Sequence, residues 1–173
     1  MARYVELRRH TDSDGDVLTE DGVEAALEIG RRLTGPYALL ISSGAQRATQ
    51  TLACFACALT DPVSGGAIIE PGLRSEVEDR WRVAHQTAQS GELGAMRDAD
   101  PELVREDSQR LAAGLRRIID RLPEGARALA VGHSPTNEAA VFGLTGEIVA
   151  SISKGAGVLV VEEAGTFRVE PLG

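Results

Sequence analysis

Short apolar and β-branched runs alternate along this chain with longer segments of helical period, and that alternation restricts it to one broad architecture. Parallel strands cannot be joined by tight turns and need crossovers, so the order strand, helix, strand reads as an α/β fold on a largely parallel sheet. The expected strands are Arg3–Leu7, Tyr37–Ser42, a weaker one near Ala67–Glu70, Ala126–Val131 and Gly157–Glu162. Thr166–Glu170 is expected to pair with the last as a hairpin across Ala164-Gly165. Helices fill the gaps: one capped by Thr19 and running through Arg32, then Ala45–Leu59, Glu76–Gln89, the amphipathic Pro101–Leu122, and one after Pro135. No repeat, low-complexity tract or linker divides the 173 residues, so the expectation is one domain over 1–173.

The formal net charge of -8 argues against a general nucleic-acid binder, which presents basic surface. It does not exclude an anionic substrate, because a few arginines set the field inside a cleft. The N-terminus has arginines but no apolar stretch of a signal peptide, and no run approaches the roughly 18 apolar residues of a membrane span. The expectation is a cytoplasmic protein that binds neither nucleic acid nor membrane. Cys54 and Cys57 lie in an apolar helical run rather than at a helix N-terminus after a strand, so they read as small buried side chains and not a redox or zinc pair.

Two histidines fall just beyond expected strands, His10 after the first and His133 after Ala128-Leu-Ala-Val-Gly132. Ligands of open α/β sheets bind at the carboxyl ends of strands, so the pair can meet in one crevice. Arg9 precedes His10, and Arg47 opens the helix after Ile41-Ser-Ser43. Guanidinium groups pair with phosphate oxygens and stay charged at neutral pH. Arg8 and Arg9 point to opposite faces of their strand, so only one need reach the crevice. His85 reads as a packed or surface residue, and Asn137 as a group that orients the His133 loop.

In this order the motifs resemble the histidine phosphatase (phosphoglycerate-mutase-like) superfamily. Leu7-Arg-Arg-His-Thr11 resembles its Arg-His-Gly signature. Leu18-Thr-Glu-Asp-Gly22 with Ala25, Gly30 and Leu33 resembles its first helix. Ser42-Ser-Gly-Ala-Gln-Arg-Ala-Thr-Gln-Thr51 resembles its Ser-Ser-x-x-x-Arg-Ala-x-Gln-Thr motif, and Val131-Gly-His-Ser-Pro135 its Gly-His motif. In size and pattern the chain is most similar to the small phosphohistidine-phosphatase-like members. The resemblance implies a three-layer fold with a mostly parallel sheet between helices, and a phosphatase that needs no metal or cofactor. It makes His10 the nucleophile, Arg9 and Arg47 the ligands of the phosphoryl oxygens, and His133 a contact to the same group. Thr11 and Ser134, beside the two histidines, are candidate substrate contacts. The substrate it implies is a phosphorylated small molecule or a phosphohistidine protein.

The sequence departs from the pattern at Thr11, where the family has glycine, at Gly44, where many members have proline, and in the segment that supplies a general acid. There, in Pro71-Gly-Leu-Arg-Ser-Glu-Val-Glu-Asp-Arg-Trp81, Glu76 is the nearer match and Glu78 the alternative. Both also fit the solvated first turn of a helix. Trp81–Asp100 is expected to form a lid or substrate wall. Two other readings compete with the phosphatase. A serine hydrolase on Gly132-His-Ser134 lacks the second glycine of a nucleophile elbow, having Thr136 in its place. A catalytically weak phosphate- or phosphoprotein-binding domain of the same fold leaves two histidines on one phosphate without a purpose.

Overall fold

A computed structural model describes residues 1–172. The chain begins with β1 (Arg3–Arg9), a small hairpin of β2 (Ser13–Asp14) and β3 (Val17–Leu18), α1 (Glu20–Arg32), β4 (Leu39–Ser42), α2 (Gln46–Ala58) and β5 (Ala67–Ile69). After a 3-10 turn at Pro71–Leu73 come α3 (Glu78–Ala88), α4 (Leu93–Ala99), the long α5 (Pro101–Arg121), β6 (Arg127–Gly132), α6 (Thr136–Thr145), β7 (Gly157–Glu163) and β8 (Thr166–Pro171). The sheet has the order β5-β4-β6-β1-β7-β8. β5, β4, β6 and β1 run parallel, β7 runs antiparallel to β1, and β8 antiparallel to β7. The β7–β8 turn is the expected Ala164-Gly165, with φ of 51° and 79°, the left-handed pair that a two-residue hairpin requires.

Alternate residues of the central strands face opposite helical layers. Ala128 and Ala130 of β6, Val5 and Leu7 of β1 and Ile41 of β4 pack with Leu111, Leu115 and Ile118 of α5. Leu129, Val131 and Leu40 pack with Ala26 of α1 and with Ala48, Leu52 and Phe55 of α2. Covering both faces is what makes β6 apolar at successive positions rather than alternating. The architecture is therefore the three-layer, mostly parallel α/β fold. Among the described residues no helix is long and apolar enough to cross a membrane.

Four details differ from the sequence expectation. The β2–β3 hairpin and α4 were not foreseen; each is short, and α4 buries only Leu93 and Met96. The third helix starts at Glu78 rather than Glu76, because Ser75 Oγ accepts from Val77 N and holds the chain in a turn before the helix. Cys54 is half-buried and Cys57 exposed, since the buried stripe of α2 is Ala48, Thr51, Leu52 and Phe55.

The Leu-Thr-x-x-Gly motif has a local reason. Thr19 accepts a hydrogen bond from Gly22 N at 3.0 Å, capping α1. A Cβ on Gly22 would stand 2.0 Å from the carbonyl oxygen of Asp12. That glycine lets the loop after His10 lie directly on α1. Gly22→Ala is expected to cost about 1–3 kcal/mol, the range for overpacking, measured by urea unfolding. A variant as stable as the wild type would show that the loop has room to move away.

Candidate active site

Strand register builds the site. Arg9 pairs with Gly132 across β1 and β6, and Ser42 with Val131 across β4 and β6. Beyond these pairs, His10 N donates to Gly132 O and Ser43 N to Val131 O, both at 3.1 Å. His10, Ser43 and His133 therefore leave neighbouring strand ends side by side, and the two imidazoles stand 5.4 Å apart between centroids in a T-shaped arrangement.

His10 is buried, and its Nδ1 lies 2.7 Å from Thr11 O. A carbonyl oxygen only accepts, so this contact assigns the proton to Nδ1 and leaves the Nε2 lone pair free. Burial pushes the His10 pKa below its ordinary value, and the charges of Arg47, Arg9 and Lys154 push the same way against the Thr11 contact. His133 Nε2 lies 2.7 Å from Ser43 Oγ. Its burial, with Arg47 and His10 nearby, pushes its pKa down to about 3. Both rings are neutral at neutral pH. His133 Nδ1 is buried without a hydrogen-bond partner among the described residues. Asn137 braces this loop, accepting from His133 N at 3.2 Å and donating to Arg8 O at 3.0 Å.

Arg9 and Arg8 go to opposite sides, as strand alternation requires. Arg8 donates to Glu6 and to Gly155 O, whereas Arg9 donates through Nη1 to Ile152 O and keeps its buried Nε unpaired. Arg47, in the first turn of α2, lines a pocket of about 270 Å³ with His133, Ser134, Glu78, Trp81 and His85 among others. The exposed His85 forms part of that wall. A 2.9 Å ion pair ties Arg47 to Asp16 in the β2–β3 turn. The Asp16 carboxylate also accepts from Gln46 N and Arg47 N. Ala45 has no side chain to cap α2, so a carboxylate from the hairpin does it.

Two sequence expectations need correcting. Glu76 does not face the pocket: it is exposed, pairs with Arg110 at 2.5 Å and lies in a separate groove with Arg74, Asp107 and Arg117. Glu78, the first residue of α3, is the carboxylate on the pocket wall, where it accepts from Arg74 Nε at 2.7 Å. Thr11 does not offer its hydroxyl to a ligand. The residue is 1% exposed and its Oγ1 donates to Gly22 O at 2.8 Å, so it fastens the loop to α1.

Asp16, Asp107 and Glu138 went unnoticed in the sequence. Asp107 accepts from Ser75 Oγ and Trp81 Nε1 and so fixes two pocket residues from behind. Its only signal was a carboxylate on the apolar stripe of α5. Glu138 is fully buried in the first turn of α6, and its Oε2 lies 2.5 Å from Ser134 Oγ. Burial pushes its pKa up to about 7, against the Ser134 hydrogen bond and the charge of Arg9. A carboxyl with a raised folded-state value costs the fold little below its ordinary value of 4.5; stability falls as pH rises from there to about 7 and levels off above it. Relative to wild type, Glu138→Gln should thus be more stable at pH 8 than at pH 5, by about 2–3 kcal/mol in denaturant unfolding. Equal differences at the two pH values would show that Glu138 titrates normally.

Solved structures share this arrangement of elements. A phosphoglycerate mutase from Bacillus anthracis superposes with a TM-score of 0.75 at 19% identity, over 99% of this chain and 92% of that one. A phosphoserine phosphatase from Entamoeba histolytica gives 0.71 at 16% identity, over 96% and 94%. The protein histidine phosphatase SixA, solved with tungstate, gives 0.58 at 21% identity, over 98% and 94%. No curated protein sequence matches the chain significantly. The family model of the histidine phosphatase superfamily, branch 1, matches residues 3–155, and the chain belongs to that superfamily.

Proposed function

We propose that the protein is a phosphatase that hydrolyses a phosphomonoester or phosphohistidine through a phosphohistidine formed on His10, all within one domain. The observation that carries this reading is the His10 imidazole, buried, neutral, and fixed by Thr11 O so that Nε2 presents its lone pair. Such a nitrogen needs no general base before it attacks phosphorus.

In the first step His10 Nε2 bonds to phosphorus as the bond to the leaving group breaks in line. Phosphoryl transfer depends mainly on positioning and on cations around the equatorial oxygens. Arg47, with its guanidinium on the pocket, supplies one set of donors, and Arg9, beside His10, the other. His133, neutral in its buried setting, contacts the same oxygens, and a bound dianion favours a proton on its ring. In the second step water attacks phosphorus, the P–N bond breaks, and its electron pair returns to Nε2. A mixed pocket of about 270 Å³ lined by His133, whose ring abuts that of His10, receives the rest of the substrate. The solved structures that share the fold include a phosphoserine phosphatase and a protein histidine phosphatase, so both small-molecule and phosphohistidine substrates are represented.

Hydrolysis of p-nitrophenyl phosphate in excess EDTA is expected for the wild type and lost in His10→Ala. Appreciable turnover by the variant would rule out the covalent route. Arg47→Ala should weaken vanadate binding by about 1.5–3 kcal/mol, as loss of a charged hydrogen bond does. An unaltered vanadate affinity would mean that Arg47 serves only its ion pair with Asp16.

A further inference from the structure

The reaction leaves one requirement unmet. A departing alkoxide needs a proton, and Glu78, the carboxylate on the pocket wall, is exposed and engaged with Arg74. Behind the pocket floor lies a second carboxyl. Glu138 is 0% exposed, its Oε1 has no hydrogen-bond partner among the described residues, and its Oε2 sits 2.5 Å from Ser134 Oγ. Ser134 lines the pocket beside His133 and Arg47. A fully buried carboxyl with one oxygen unpartnered and the other on a hydroxyl that faces the reaction site calls for an explanation.

We propose that Glu138 and Ser134 form a proton relay that protonates the leaving oxygen of an alkyl or aryl phosphomonoester. The inference rests on the phosphatase reading above and deepens it by naming the substrate class. As the P–O bond breaks, the leaving oxygen takes the Ser134 hydrogen, and Ser134 Oγ takes the proton of Glu138, which becomes a carboxylate. In the second half the attacking water gives a proton to Ser134 Oγ, and Ser134 returns its own to Glu138, so the pair is reset when phosphate leaves. Ser134 is the group that touches substrate; Glu138 acts through it.

The surroundings suit a carboxyl that is neutral before reaction and tolerable as an anion afterwards. Arg9 of β1 faces it, as does the backbone of Ile152 from the segment before β7. On the α5 side Asp107 is already bonded to Ser75 and Trp81, and on the pocket side stand His133, His10 and Arg47. Burial keeps the acid form populated up to about pH 7. The relay therefore fails above that pH, and it fails first for substrates whose leaving group most needs the proton.

The test compares phenyl phosphate, whose leaving group is poor, with p-nitrophenyl phosphate, whose leaving group departs readily, across pH 5 to 9 in excess EDTA. Glu138→Gln and Ser134→Ala should each lower kcat/KM for phenyl phosphate by about 100-fold or more, the scale of general acid catalysis, and cost far less with p-nitrophenyl phosphate. Both variants should also lose the fall in phenyl phosphate turnover above pH 7. Equal losses on the two esters, or an unaltered pH profile, would overturn the relay while leaving the phosphatase reading in place. Ser134→Ala, at a partly exposed position, guards against a folding defect in the Glu138 variant. Absence of wild-type turnover on both esters would overturn the phosphatase reading, and the relay with it.

Discussion

The pairing of β1 with β6, and of β6 with β4, governs everything that happens at the site. These strands are parallel, so their carboxyl ends lie together, and their register puts Arg9 opposite Gly132 and Ser42 opposite Val131. A shift of one residue would exchange the faces of every strand side chain, sending Arg9 to the α1–α2 side and Arg8 toward α6. The register is held by burial on both faces, with Ala128 and Ala130 packed on one side and Leu129 and Val131 on the other. Core packing and the geometry of the candidate site are thus one constraint.

On that frame the electrostatics follow from burial. Both imidazoles are taken out of water beside arginines, which disfavours a second positive charge and keeps their nitrogens available. The same burial does the opposite for the Glu138 carboxyl, favouring its proton. One low-dielectric floor therefore holds unprotonated bases beside an acid that keeps much of its proton up to about pH 7, the separation that acid–base chemistry needs. Asp16 completes the picture from outside, capping α2 and anchoring the Arg47 side chain.

Much of the architecture was legible in the sequence because two-sided burial writes long apolar runs for the strands and a clear stripe for α5. The proximity of His10, His133 and Arg47 was legible too, since each follows a strand that can lie in the same sheet. Glu76 against Glu78 was not: the choice depends on where α3 begins, and that is decided by a single turn-forming hydrogen bond from Val77 N to Ser75 Oγ. Thr11 looked like a phosphate contact because its neighbour is His10, yet its hydroxyl is committed to Gly22 O, a partner eleven residues away. Glu138 was invisible because charge on a short helix reads as solvent-facing, and only the packing of α6 against β1 and α5 buries it.

The central claim is that His10 carries the phosphoryl group during turnover, and rapid-quench trapping tests it most directly. Protein mixed with p-nitrophenyl phosphate and quenched in alkali within one turnover, then digested and weighed by mass spectrometry, should show an acid-labile phosphoryl adduct on the peptide containing His10. Turnover with no adduct, or an adduct on any other residue, would contradict the account.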